Sequence, residues 1–546
     1  MSRLTVVMLV AVLIGLLGCS HTFTTVSTPY FAEYCKVWGF LKYYHPTVTH
    51  GKLDWDAVFL MEYPKAARCT NSDELVEVVG DLLQAAGGVR SYGYRPMSMG
   101  GELSLVRRSW KTDARYLTAP LAESLDSIWS NLNVPAAQAY VGEYPAQNPD
   151  VSMDTSHYSD AYPSEAVRAL ALARYWNIIE YFAPDKDVIG EPWDSVLVRF
   201  IPKVIEAKNR EDYTLTMMEL CSSIHDSHSY THSSFSDSLF GYYTLPFRPA
   251  VVDGRVVVAR RRKMFAPALS PGDEIISIAG VNVDSLRARY AGLVPSSNPA
   301  SRDRNVCRML NRTPRRDSVA VVYRSASGVQ SCNVKPLTNY ELEANRETDT
   351  AKHWKIMAGN IGYVHMGKLT KAEADRAMTE LINTKAIVFD VRNYPQGTMY
   401  EIGKYLDVKT PWVAFRHPTL TYPGHFETED YNGPMLEKKK LFRGKVVILT
   451  NEETQSHAEF TCMMLQAVPG ATVIGSQTAG ADGNVTEVKL PGGITTMFSG
   501  LGVFYPNGKP TQRVGIVPDI EVHPTIAGLR AGRDEVLEKA MEIARK

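Results

Sequence analysis

Cysteine is scarce, with seven residues in 546, and none stands in a Cys-x-x-Cys pair or in a Cys/His spacing that would build a metal site. An excess of either charge is also lacking. The chain carries 59 basic and 59 acidic residues, which excludes nucleic acid or an anionic membrane surface as the expected partner. Beyond the N-terminus no apolar run approaches the roughly 20 residues that a membrane-spanning helix needs. Paired carboxylates of the glycosidase kind cannot be picked out, although the chain has many Trp and Tyr residues. A 45% hydrophobic composition is ordinary for a folded protein, and the length calls for three or four cores.

What is present begins at the N-terminus. Met1-Ser-Arg3 precedes the apolar run Leu4 to Leu17 and then Gly18-Cys19, so residues 1–18 read as a secretory signal peptide. Gly18-Cys19 resembles a bacterial lipobox, which implies lipidation at Cys19, a tether over 19–29 and a cell-envelope protein facing the periplasm. A plain cleaved signal or an uncleaved anchor is the alternative. The other six cysteines permit Cys35–Cys69 and Cys307–Cys332 disulfides in an oxidising compartment, or free buried thiols.

Residues 30–141 and 165–240 repeat one another. Trp38, Tyr43, Pro46, Trp55-Asp56, Val58 and Pro64-Lys65 recur 138 positions later as Trp176, Tyr181, Pro184, Trp193-Asp194, Val196 and Pro202-Lys203. Each copy predicts a helix with aromatic residues on its core face, a Pro-terminated turn, a helix opened by Trp-Asp and a third amphipathic helix (73–86; 211–224). The stretch 142–164 reads as a linker. The third helix of copy one ends in Ala86-Gly-Gly88, whereas that of copy two ends in His225-Asp226-Ser227-His228 and then His232. Packing alone does not require these polar groups, so they are candidates for function. A metal site from His225, His228 and His232 is the minor alternative, and a surface or capping role for His228 the bland one.

Strands of period two dominate 241–340, where Leu269-Ser-Pro-Gly-Asp-Glu-Ile resembles the signature of a bacterial PDZ domain, a module that pairs an extended peptide with its sheet edge. The basic run 260–263 reads as a solvated edge. From 350 to 546 the pattern is α/β, with strands expected at 361–365, 386–391, 446–449 and 472–474, helices at 371–382, 458–466 and 534–544, and a charged loop or lid over 417–440.

Within this last region an apolar strand from Lys445 runs into a polar turn and a helix start, with Ser456 at the bend. A serine so placed exposes its oxygen while the next backbone N–H groups point at whatever it attacks. An ordinary N-cap serine would look the same from sequence. The set Asp226-Ser227-His228, the PDZ-like stretch, Asp390-Val-Arg-Asn-Tyr-Pro-Gln-Gly397, Ser456, Gly475–Asn484 and Gly515-Ile-Val-Pro-Asp519 is ordered as in one family. Together these motifs resemble the tail-specific, C-terminal-processing serine peptidases, in particular the tricorn-like branch in bacterial lipoprotein form, from about Ala166 onward.

The resemblance implies a multidomain fold: a duplicated α-helical N-terminal region, a PDZ-like β domain and a ClpP/crotonase-like α/β catalytic domain. It implies Ser456 as nucleophile, with oxyanion donors from the backbone of His457 and of Gly397 or Gln396; Gln396 stands where the family usually has glycine. Where Ser-Lys members carry their lysine this chain reads Gly480-Ala481-Asp482, so the base implied is His228, whose imidazole titrates near working pH. The family's third member, a glutamate acting through a serine beside the histidine, corresponds to Gln512 acting through Ser227; Asp226 and Asp482 are the other candidates. No metal or organic cofactor is called for, and the expected partner is an extended polypeptide substrate. The competing reading is a peptide-binding scaffold on the same fold with weakened or lost turnover. Asp519 reads as a structural cap.

Overall fold

The computed structural model describes residues 26–88, 103–105, 115–131, 138–154, 158–345, 352–434 and 437–546. The signal segment and Cys19 lie outside the described residues. No helix among the described residues is long and apolar enough to cross a membrane.

The helical region is organised around α1 (Thr28–Tyr44), which opens with a proline in its first turn and buries residues on every face. It packs with α2 (Trp55–Ala66), α3 (Ser72–Ala86), α4 (Glu165–Phe182), α5 (Trp193–Ile205) and α6 (Arg210–Ser222). The spacing of 138 residues reappears in the bonding. Trp38 and Trp55 each donate an indole N–H to the other's carbonyl, at 3.0 and 2.9 Å, and Trp176 and Trp193 do the same at 2.9 and 3.0 Å. Each Trp thereby stays fully buried with its one donor satisfied. Equivalent positions also exchange ion pairs across the two copies: Lys36 with Asp194 and Arg174 with Asp56, both at 3.4 Å.

A second body is a sheet of β1 (Phe247–Val252), β2 (Arg255–Arg261), β3 (Glu274–Ile278), β4 (Val319–Ser325) and β5 (Gly328–Val334), in the order β5-β4-β3-β2-β1. Helix α7 (Pro299–Leu310) lies against edge strand β1.

The third body is a sheet of β6 (Trp354–Met357), β7 (Ile361–His365), β8 (Ala386–Asp390), β11 (Lys445–Thr450), β12 (Thr472–Gly475) and β16 (Ile520–Glu521), in that spatial order. Only the β6–β7 pair is antiparallel. Helices α8 (Lys371–Leu381) and α9 (His457–Gln466) cover one face and α10 (Glu535–Arg545) the other. Sandwiched strands explain the unbroken apolar runs in β8 and β11. Asp519 ties its loop to β12, accepting the Val473 N–H at 2.8 Å.

Three expectations need correction. The charged stretch 417–440 is not simply a loop: β9 (Val413–Pro418) pairs with β10 (His425–Tyr431) in a small sheet shared with β15 (Gly502–Phe504) and the strand Leu103–Ser104. Its acidic residues fall in the outer half of β10, where consecutive side chains are exposed, and composition alone cannot distinguish such a strand from a loop. Of the two readings left open for the six cysteines, free thiols hold, and neither Cys35–Cys69 nor Cys307–Cys332 is bonded. Finally, the hairpin β13 (Val485–Leu490) and β14 (Ile494–Ser499) leaves the α/β region and inserts Val488, Leu490, Ile494 and Phe498 into the helical core. The helical and α/β regions therefore share one core across the boundary drawn from sequence.

Candidate active site

The bend carrying Ser456 follows β11, whose residues Val446 to Thr450 are all buried. The turn is fixed before the serine is reached. Thr454 donates its hydroxyl to the Val391 carbonyl at 2.9 Å, and Asn451 caps the Glu453 N–H at 3.0 Å. Ser456 has φ +58 and ψ −128, a region costly for a residue with a Cβ and one that needs compensation from its surroundings. Compensation is visible. The Ser456 N–H donates to the Ala481 carbonyl at 2.8 Å and approaches the Glu459 carboxylate at 3.1 Å. Glu459, fully buried one turn into α9, also accepts the Gly480 and Ala481 N–H groups at 2.8 and 3.1 Å and the Thr478 hydroxyl. Burial raises its pKa while these donors hold it down. Sequence reasoning missed Glu459; the signal was the Ser-x-x-Glu capping pattern at the bend.

His228 arrives from a different direction. The chain leaves α6, turns at His225 with φ +51, and bonds back on itself through Asp226, whose carboxylate accepts the His228 N–H at 2.9 Å. The same carboxylate accepts the Ser499 N–H at 2.6 Å, and His228 Nδ1 lies 2.9 Å from Ser499 Oγ and 3.8 Å from Asp226 Oδ1. Ser499, at the end of β14 and 271 positions away, gave no sign in the sequence. Burial lowers the His228 pKa, Asp226 opposes this, and the Arg304 guanidinium adds to it, so the imidazole is neutral at neutral pH.

The serine and histidine segments meet. Gln455, adjacent to Ser456, donates its amide to the Ser227 carbonyl at 3.5 Å, bridging 228 positions. Ser227 donates its hydroxyl to the Ala479 carbonyl at 3.2 Å, two residues from the carbonyl that accepts the Ser456 N–H. Arg304 on α7 closes the arrangement, donating to the Glu452 carbonyl at 2.7 Å and to the Gln455 side chain at 2.6 Å. Among the described residues the imidazole makes no hydrogen bond to Ser456 Oγ, and its Nε2 has no hydrogen-bond partner.

The relay implied for Gln512 is not formed. Ser227 exchanges hydrogen bonds with Ser297, both at 2.9 Å, and Gln512 Oε1 is buried without a partner. Asp482 accepts the Gly483 N–H at 2.7 Å, and its Oδ2 is buried without a partner. Burial and the neighbouring Glu459 push its pKa well up. The groups facing Nδ1 are Ser499, at 2.9 Å, and Asp226, at 3.8 Å. His225 and His232 do not converge with His228: His232 pairs with Asp237 at 3.3 Å, and among the described residues no cluster of three His, Cys, Asp or Glu side chains is arranged to hold a metal.

Gly397, at φ +69, ends a loop that follows β8 on the same carboxyl edge of the sheet as the Ser456 turn. Among the described residues neither the Gly397 nor the His457 backbone N–H donates a hydrogen bond to protein. Gln396 turns its amide away, donating to the Gly367 carbonyl at 3.0 Å, so a side chain is accommodated where the resemblance implied glycine. The His457 ring lies between Tyr394 and Phe460, at centroid distances of 6.2 and 6.4 Å, and burial together with the Lys371 charge lowers its pKa.

Residues 360–522, which hold β7, the Gly397 loop, Ser456, Glu459, Ser499 and Gln512, match the model of peptidase family S41. The matched segment lies within the α/β region. Tricorn protease homolog 2 of Streptomyces coelicolor is 23% identical over 390 residues, covering 67% of this chain and 31% of the relative, so the chain spans about a third of that protein's length. Among solved structures, mature CPAF complexed with lactacystin is similar at a TM-score of 0.52 and 14% identity, covering 70% of this chain and 98% of that one. Mature CPAF alone gives 0.51 and 14%, covering 70% and 97%. At that identity the likeness is one of fold. The candidate nucleophile lies inside the matched segment and His228 outside it.

Proposed function

We propose that this S41 protein is a serine endopeptidase that cleaves extended or C-terminal polypeptide segments, with Ser456 as nucleophile and His228 as base. The observation that supports the reading is the Gln455–Ser227 contact, which joins the segment of the strained, half-buried Ser456 to the segment of His228, whose pKa burial lowers. Asp226, facing Nδ1 at 3.8 Å, favours a proton on that nitrogen and so a lone pair on Nε2. In the reaction Ser456 Oγ bonds to the scissile carbonyl carbon as its proton passes to Nε2. The oxyanion is received by the His457 and Gly397 N–H groups, at a helix start where the backbone dipoles favour negative charge. Collapse breaks the C–N bond, the amine leaves with the imidazolium proton, and water then hydrolyses the acyl-enzyme by the same transfers in reverse. Ser227 and Ser499 act as positioning residues.

The β1–β5 sheet with α7 is read as a PDZ-like module that captures a peptide strand, and the two helical copies as an old duplication. The N-terminal segment is read as a signal that leaves Cys19 lipidated and the protein tethered in the envelope, facing the periplasm. A peptide-binding scaffold without turnover is favoured by two observations: the Gln512–Ser227 bond is absent, and His228 is bonded to Ser499 rather than to Ser456. Fluorophosphonate labelling separates the readings. The peptidase reading expects adduct at Ser456, none in Ser456→Ala and a rate about 100-fold lower or more in His228→Ala; an unlabelled wild-type protein with a native melting transition would refute it.

A further inference from the structure

Three consecutive carbonyls in the loop Gly475–Asn484 space the site. Ala479 accepts the Ser227 hydroxyl at 3.2 Å, Gly480 accepts the Arg513 N–H at 2.8 Å, and Ala481 accepts the Ser456 N–H at 2.8 Å. The strip is itself fixed from its other side, where its own N–H groups go to the Thr454 carbonyl and to Glu459. The serine and the histidine's loop thus hang on one short ruler, and Arg513 is bonded to its middle.

Arg513 has a φ of +70, a conformation that strains a residue with a β-carbon. Its guanidinium is half-buried, burial lowers its pKa, and among the described residues it pairs with no carboxylate. Its donors go to carbonyls instead. Nε donates to Ser297 at 2.7 Å, and Nη1 to Val188, at 3.1 Å, and to Ile189. Gly190 permits that approach, since a β-carbon there would meet Nη1 at 3.1 Å. Ser297, just before α7, exchanges hydrogen bonds with Ser227, the neighbour of His228. One side chain therefore fastens the connection between α4 and α5, the start of α7 and the strip beside the serine turn. A planar fork of five donors can reach carbonyls in several directions at once, as an amide or an ammonium in one fixed position does not. A tie for stability alone calls for neither an unpaired cation nor a strained backbone; both are costs that recur where the geometry of a reacting centre has to be held.

We propose that Arg513 is a positioning residue for the Ser456–His228 reaction, holding the His228 loop at working distance from the serine through Ser297 and Ser227. This role rests on the peptidase reading and adds to it the group that braces the histidine side of the site. Without the guanidinium, Ser297 and Ser227 lose their outer anchor and the imidazole is free to drift from the serine hydroxyl.

The test uses the full chain as Arg513→Ala and as Arg513→Lys, whose ammonium reaches some of these carbonyls but not all; the lysine variant carries both readouts should Arg513→Ala fail to fold. Measurements are made below the melting transition of each protein. Fluorophosphonate labelling should slow at least about tenfold in Arg513→Ala, because a misplacement of about 1 Å can cost on the order of 100-fold in rate. Arg513→Lys should fall between it and wild type. The His228 imidazole resonance, assigned by its loss in His228→Gln, should titrate closer to the ordinary 6.5 as burial is relieved. Millimolar guanidinium chloride, but not sodium chloride at equal ionic strength, should restore both readouts in Arg513→Ala and leave wild type unchanged. A merely structural tie would lower the melting temperature and move neither. A wild-type labelling rate in the folded variants, an unmoved His228 titration, or a loss that neither guanidinium nor Arg513→Lys relieves overturns the role. A wild-type protein that does not label refutes the peptidase reading instead, and the His228 titration then still decides whether Arg513 holds the loop.

Discussion

Replacing Glu459 with glutamine changes one atom and should dismantle the serine turn. The carboxylate accepts from three backbone N–H groups, of Ser456, Gly480 and Ala481, and from the Thr478 hydroxyl, two donors converging on each oxygen. In Glu459→Gln one oxygen becomes an NH2 group, so whichever way the amide is turned two buried donors face another donor. A charge-assisted hydrogen bond contributes about 1.5–3 kcal/mol, and a buried donor left unpaired costs a comparable amount. The turn also stores about 1–3 kcal/mol of backbone strain at Ser456, which these bonds hold in place. Relaxation of the turn recovers part of the loss, leaving a destabilisation of about 3–5 kcal/mol together with a displaced nucleophile. Urea unfolding at neutral pH measures the first, and the fluorophosphonate labelling rate under native conditions the second, expected to fall at least about tenfold. A variant within about 1 kcal/mol of wild type that labels at the wild-type rate would refute the idea that Glu459 braces the strained serine.

The remaining predictions follow from the loops that meet at the site. His228 is held below its usual 6.5 by burial, so its stabilising contribution is fully present above 6.5 and lost as pH falls through the folded value; labelling should show an acid limb below 6.5. Arg304→Met removes a cation that lowers this pKa, so the acid limb should move to higher pH, while a variant with an unmoved limb and wild-type rate would show that Arg304 does not act on the imidazole. Phe498→Ala, at a position 1% exposed within the helical core, should cost about 3–5 kcal/mol in urea unfolding and slow labelling by loosening Ser499 from His228. A loss of stability without any change in labelling of the folded fraction would show that the hairpin does not position the histidine.

Much of the candidate site could be read from residue order. Ser456 was legible because a buried parallel strand, a polar turn and a helix start leave their marks within about a dozen residues, and β7 and α9 were located to within a residue. His228 was legible by contrast, since the copy of its helix 138 positions earlier ends in glycines instead. The charged strand β10 was not, because a short strand whose outer half is exposed has the composition of a loop. Ser499 was not legible either: a serine closing a hairpin is unremarkable until its neighbour across space is known.

The sequence by itself determined the local geometries and the cast of reactive groups, because helix starts, strand periodicity and turn chemistry depend on neighbours along the chain. Only the tertiary structure decided which groups face one another. It turned Ser227 toward Ser297 and put Asp226 and Ser499 at the imidazole. The physical reason is the burial of Val488, Leu490, Ile494 and Phe498 in a core built mainly by the helices, which pulls β14 against the His228 loop. That apolar contact links segments hundreds of positions apart, and local propensity carries no record of it.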